Sequence, residues 1–150
     1  MRTLPALAVL AALTGCTGMR SYSRGTLAPL SSAYACAAQQ LKAMGYTLEL
    51  QDSVGGLVQG RREITGIVET ARKGAAVATE VLTAGLAGGK RTRYDELTVS
   101  AYQRHYPQGN TLEVTAGMLI TAGGKQERTS PTDDAKREAK KILATCAPRS

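Results

Sequence analysis

The chain has 150 residues, a net charge of +7, no Trp and no Phe, so six Tyr are its only aromatics. That length suits one ordinary domain rather than two, with a modest core built from Leu, Val, Ile, Ala and Met. One His and three Cys do not supply a clustered metal site. The basic balance suits anionic partners: nucleic acid, lipid or acidic polymer.

The first element is an N-terminal apolar stretch. Arg2 precedes Leu4 through Leu13, a run interrupted only by Pro5. Ten helical residues span about 15 Å, half a hydrocarbon core, so the run reads as a secretory signal rather than a membrane span. It closes on Leu13-Thr14-Gly15-Cys16. That tetrapeptide resembles the lipobox of bacterial lipoproteins: an aliphatic residue, a small residue, Gly or Ala, then Cys. The resemblance implies cleavage before Cys16, a thioether diacylglycerol on its sulfur and an amide-linked acyl chain such as palmitate on its amine. Two or more chains anchor stably where one is marginal. Thr17 replaces the Asp that the family rule reads as inner-membrane retention, so an outer-membrane protein facing the periplasm is expected. Removing residues 1–15 takes away Arg2 alone of the charged residues, and the net charge falls from +7 to +6. An envelope address also demotes nucleic acid as a partner.

Residues 16–28 are rich in Thr, Gly, Ser, Arg and Tyr, and read as a lipidated flexible tether. A single domain is expected over 29–150. Pro29 opens a helix. Leu30, Ala33, Ala37, Leu41 and Met44 form its apolar stripe, and Gly45 ends it. Alternation over 46–64 predicts a β-hairpin, with Leu48 and Leu50 facing inward and a turn at Ser53–Gly56. The insert 66–91 is Ala- and Gly-rich, and reads as a helix near 68–84 or a surface loop. A third strand covers 94–105, with Leu97, Val99 and Ala101 on one face. Pro107–Asn110 turns the chain into a fourth strand over 111–121. Ser130 or Thr132 caps a last helix. Asp133 and Asp134 favour its first turn. Ala135, Ala139, Ile142, Leu143 and Cys146 line its inner face, while Lys136, Arg137, Lys140 and Lys141 face solvent. This order predicts an α+β two-layer sandwich: a four-stranded antiparallel sheet with both helices on one face and the insert between strands two and three.

Once Cys16 carries lipid, Cys36 and Cys146 are left as an even pair. An oxidising periplasm favours a disulfide between them; the alternative is two separate buried thiols.

The stretch Ala37–Arg61 runs as a helix ending in Leu41-x-x-x-Gly45-Tyr46, a strand, a turn containing Asp52, and a strand reaching Arg61. It resembles the helix-grip modules of small bacterial lipoproteins, including the BamC-type subunit of the β-barrel assembly machinery. The resemblance covers about 25 residues and implies a fold more than a role.

No catalytic constellation emerges. His105 ends the third strand without a G-x-S-x-G or a positioned acid. Asp95-Glu96 alternates across a strand and Asp133-Asp134 starts a helix, so neither pair reads as an acid/base site. No glycine-rich turn carries the P-loop Lys-Ser/Thr. A non-enzymatic protein without a cofactor or metal is expected. The best binding candidate is the basic, Tyr-rich segment Arg93, Tyr94, Tyr102, Arg104 and Tyr106, near Lys90 and Arg91. Alternation places Tyr94, Tyr102, Arg104 and Tyr106 on the face opposite Leu97 and Val99. The expected partners are the membrane, through the lipid on Cys16, and an envelope protein, with an anionic envelope polymer or lipid as the alternative.

Overall fold

The structure, a computed structural model, describes residues 18–65, 91–105 and 108–148, the side chains of residues 105 and 108 excepted. The leader 1–15, Cys16, residues 66–90 of the insert 66–91, and Tyr106 lie outside the described residues.

The elements run β1 (Arg20–Thr26), α1 (Leu30–Ala43), β2 (Thr47–Asp52), β3 (Leu57–Glu63), β4 (Thr92–His105), β5 (Gln108–Ala122), β6 (Lys125–Thr129) and α2 (Asp133–Cys146). The class is α+β, and the sheet is antiparallel throughout. It has six strands rather than the expected four, in the order β1-β5-β4-β3-β2 with β6 also on β5. Strands β1 and β6 lie end to end along one edge of the long β5: Arg20 pairs with Ala116 and Thr129 with Met118.

The two additional strands carry little apolar signal. β1 occupies what reads as tether, and its one large apolar side chain is Tyr22. β6 is Lys-Gln-Glu-Arg-Thr. The edge of β5 recruits both. For β6, Gly123 and Gly124 at φ 55° and 78° make the two-residue turn that matches strand twist. For β1, Ser21 and Thr115 hydroxyls meet at 2.7 Å, and Asn110 Nδ2 donates to the Ala28 carbonyl at 2.9 Å.

Both helices pack on one face of the sheet, as expected. Ala33, Ala37 and Leu41 of α1, and Ala135, Ala139, Ile142, Leu143 and Cys146 of α2, are buried with Val58, Leu97, Val99, Ala101, Leu112, Val114 and Ala116. The stripe is small enough for close approach. A Cβ on Gly60 would lie 3.0 Å from Tyr46 Cβ and 3.4 Å from a Leu41 methyl. Helix α1 closes on backbone bonds from Gly45 N to the Lys42 carbonyl and from Tyr46 N to the Leu41 carbonyl, the Schellman pattern. Thr132 caps α2, accepting from Ala135 N at 3.1 Å.

Leu50 corrects an expectation. It is 43% exposed rather than inward. Leu48 pairs with Gly60 and Leu50 with Gln59, so Glu49 is an extra residue, a bulge that turns Leu50 onto the open face.

Cys36 and Cys146 form a disulfide, with Cα atoms 5.6 Å apart. It joins α1 to α2 across 110 residues of sequence. Among the described residues no helix is long and apolar enough to cross a membrane.

Candidate functional site

The binding segment expected from sequence divides on folding. Register along β4 and β5 is unbroken from Thr92 to His105. Tyr94, Tyr102 and Arg104 therefore share the sheet face away from the helices. Arg93 does not: it points to the opposite side, since neighbours alternate along a strand. Eight residues separate Tyr94 from Tyr102, about 26 Å at ~3.3 Å per residue, so they do not form one patch. Tyr102 donates to Glu113 Oε2 at 3.0 Å, and Arg104 is exposed.

Between them lies a row of charge that sequence reasoning did not single out. Glu96 is 2% exposed on this open face. Arg61 Nη2 binds one of its oxygens at 3.1 Å and Arg128 Nε the other at 2.8 Å. Arg61 Nη1 also binds Glu49, the bulge residue, at 2.8 Å, and its guanidinium stands 5.7 Å from the centre of the Tyr94 ring. The row Glu49-Arg61-Glu96-Arg128 thus ties β2, β3, β4 and β6 together. Burial opposes ionisation of Glu96, but hydrogen bonds from Arg128 and Arg61 outweigh it and hold the carboxyl below its ordinary range. Two acids balance two bases, so the row braces the sheet and leaves no net charge for a ligand.

The neighbouring Asp95 serves the other face. It is 3% exposed and accepts from Arg62 Nη2 at 3.1 Å and from the Thr132 hydroxyl at 2.7 Å. Arg62 also binds Glu138 with both nitrogens, at 2.8 and 2.9 Å, and the Met44 carbonyl at 2.9 Å. Its guanidinium lies 4.5 Å from the Tyr46 ring centre, and the Tyr46 hydroxyl donates to Glu138 at 2.7 Å. Burial and then Glu138 push the Tyr46 phenol well above its ordinary value. Arg62 keeps its charge more firmly than usual, because Glu138 and Asp95 outweigh its burial. Every partner here is internal, so this network locks the start of α2 to the end of α1.

A different place offers unspent charge. Tyr22, Ser23, Arg24 and Gly25 of β1, with Lys140 and Leu143 of α2, line a groove of about 470 Å³. Lys140 Nζ stands 5.7 Å from the centre of the Tyr22 ring. Arg24 Nη1 reaches the Leu143 carbonyl at 3.5 Å, a long contact near the helix C-terminus, where positive charge is favoured. Among the described residues neither Arg24 nor Lys140 has a carboxylate within 4.0 Å. Of the other bases on α2, Lys136 pairs with Asp133 and Arg137 with Asp134, while Lys141 is exposed and does not line the groove. The signal for this site was present in sequence: Arg20, Tyr22 and Arg24 alternate with Ser21 and Ser23. The small polar residues on either side read as tether and hid it.

Among the described residues no group of three or more His, Cys, Asp or Glu converges as a metal site. No protein-family model and no curated protein matches the chain.

Proposed function

We propose that this is a lipid-anchored envelope lipoprotein whose single domain works by binding or scaffolding at the outer membrane's periplasmic face, without catalysis. The observation that carries the reading is the lipobox-like Leu13-Thr14-Gly15-Cys16 closing an apolar run, four residues before a folded strand begins at Arg20. The Cys36–Cys146 disulfide supports it, since such bonds persist in oxidising compartments. Resemblance of the Ala37–Arg61 stretch to helix-grip modules of small envelope lipoproteins supports the envelope address and the fold rather than a particular role. The internally neutralised Asp95 and Glu96 also argue for structure over acid/base chemistry, since both carboxylates are committed to arginines.

Intact-mass analysis of the protein purified from envelopes tests the reading. It expects a chain beginning at Cys16 with a diacylglyceryl group and an additional acyl chain, lost in Cys16→Ser along with membrane fractionation. An unmodified Cys16 on an intact leader would reject the anchor. For the scaffold role, crosslinking in intact cells should trap a stoichiometric envelope protein, and none would count against it.

A further inference from the structure

We infer that the groove between β1 and α2 holds the phosphate of anionic phospholipid headgroups, so that the domain lies with its β1 edge on the bilayer that anchors it. The inference rests on the anchoring reading above and adds a contact surface and a ligand chemistry to it.

Three observations converge on this groove. The first is charge. Arg24 and Lys140 face one space of about 470 Å³ with no carboxylate within 4.0 Å among the described residues. A guanidinium and an ammonium around a shared space suit a phosphodiester, which takes Arg in a fork and Lys as a point charge. The second is the wall. Tyr22 and Leu143 add an aromatic ring and an aliphatic side chain, and a tyrosine with one apolar and one polar end suits the headgroup layer. The third is reach. Cys16 precedes Arg20 by four residues, at most about 14 Å of extended chain. Arg20, Tyr22 and Arg24 then lie on one face of β1, successively ~7 Å apart. A lipid on Cys16 therefore confines this edge to the neighbourhood of the headgroups. Such confinement raises the effective concentration of a weak site without any new contact.

The occupant is a bilayer lipid rather than a soluble anion because of that reach. The open face of the sheet is a poorer candidate, since Glu49 and the buried Glu96 together already balance Arg61 and Arg128.

The test uses the full chain carrying Cys16→Ser, so that acyl chains do not mask a headgroup preference. It is sedimented with neutral phosphatidylcholine vesicles and with vesicles containing phosphatidylglycerol, at low salt. The difference between the two removes the apolar contribution of the leader, and the leader's Arg2 is common to every variant compared. A basic residue at an anionic surface is worth about fivefold in binding, so Arg24→Gln with Lys140→Gln should lower the anionic-specific partition roughly thirtyfold. Lys42→Gln with Arg104→Gln, the same charge loss at exposed positions elsewhere, should cost several times less. Equal losses in the two pairs would show diffuse attraction and overturn the groove. Lys140 is exposed, so Lys140→Gln alone carries the test if the Arg24 variant unfolds. Inorganic phosphate supplies the other arm. If it shifts the Tyr22 and Lys140 NMR signals while the vesicles show no anionic preference, the site binds free anion and the bilayer assignment falls. The anchor is scored separately, by the mass at Cys16 in the unaltered protein. An unmodified Cys16 would remove the anchor while leaving the vesicle result to judge the groove.

Discussion

Arg62 and Glu138 meet through two parallel hydrogen bonds, at 2.8 and 2.9 Å, across the boundary between sheet and helix. Arg62 comes from β3 and Glu138 from α2, 76 residues apart in sequence. The same guanidinium holds Asp95 and the Met44 carbonyl. One side chain thus fixes the end of α1, the middle strands and the first turns of α2.

Removing Arg62 leaves Asp95 buried with Thr132 as its one remaining side-chain partner among the described residues. Breaking a fully buried pair costs about 3–5 kcal/mol. Arg62 is 27% exposed, and solvent screening lowers the expectation for Arg62→Ala to about 2–3 kcal/mol. Glu138→Gln keeps the shape and should cost less. A double-mutant cycle by urea unfolding measures the coupling. Additive effects of the two substitutions would show that the bidentate geometry contributes nothing.

Glu96 predicts a specific acid response. Its folded-state pKa is lowered from the ordinary 4.5 by Arg128 and Arg61 against the opposing effect of burial. A depressed carboxylate contributes stability above its unfolded pKa and loses it as pH falls through the folded value. Stability should therefore decline below about pH 4.5. Glu96→Gln should be less stable at neutral pH and show a shallower acid decline. Parallel pH profiles for the two proteins would mean that the arginine pairing does not favour the ionised form.

The disulfide closes a loop of 110 residues. Loop-closure entropy alone gives roughly 4–5 kcal/mol for that length, before any residual structure in the unfolded chain reduces it. Reduction, or Cys36→Ala with Cys146→Ala, should lower the urea midpoint with α1 and α2 still folded at low denaturant. Unfolding curves that overlay with and without reductant would place the helix–helix contact in side-chain packing instead.

The main elements were legible because their signals are periodic. The stripe Ala33-Ala37-Leu41 and the alternation Leu97-Val99-Ala101 mark buried faces directly, and Thr132 followed by Asp133-Asp134 marks a helix start. The even pair Cys36 and Cys146 favoured the bond that forms. What failed had no apolar period. β6 contains no hydrophobic residue at all, and β1 has only Tyr22 of any size; β5 supplies the pairing that their own sequences do not announce. Leu50 was misplaced because a bulge changes side-chain parity without leaving a signature in composition. The Arg/Tyr segment joined residues close in sequence, yet Arg93 and Tyr94 occupy opposite faces, and Tyr102 lies too far along the strand to meet Tyr94. The groove residues Tyr22 and Lys140 are 118 positions apart, and only the docking of α2 beside β1 brings them together.

Under the lipid anchor proposed for Cys16, β1 sets how far the domain can stand from the membrane. A flexible tether over residues 16–28 would extend about 43 Å at ~3.6 Å per residue. Pairing of Arg20 through Thr26 with β5 leaves only four residue steps from Cys16, about 14 Å. Hydrogen exchange followed by NMR separates the two cases. A strand paired along one edge protects alternate amides, those directed at its neighbour, and leaves the intervening ones fast. That every-other-residue pattern is expected across Arg20–Thr26. Tyr22→Ala should weaken it and destabilise the domain by about 1–2 kcal/mol, less than a fully buried aromatic, because Tyr22 is only half-buried against the core. If all seven amides exchange at the rate of an unfolded peptide, β1 does not hold in solution. The domain would then regain the longer reach, and the groove would lose its β1 wall.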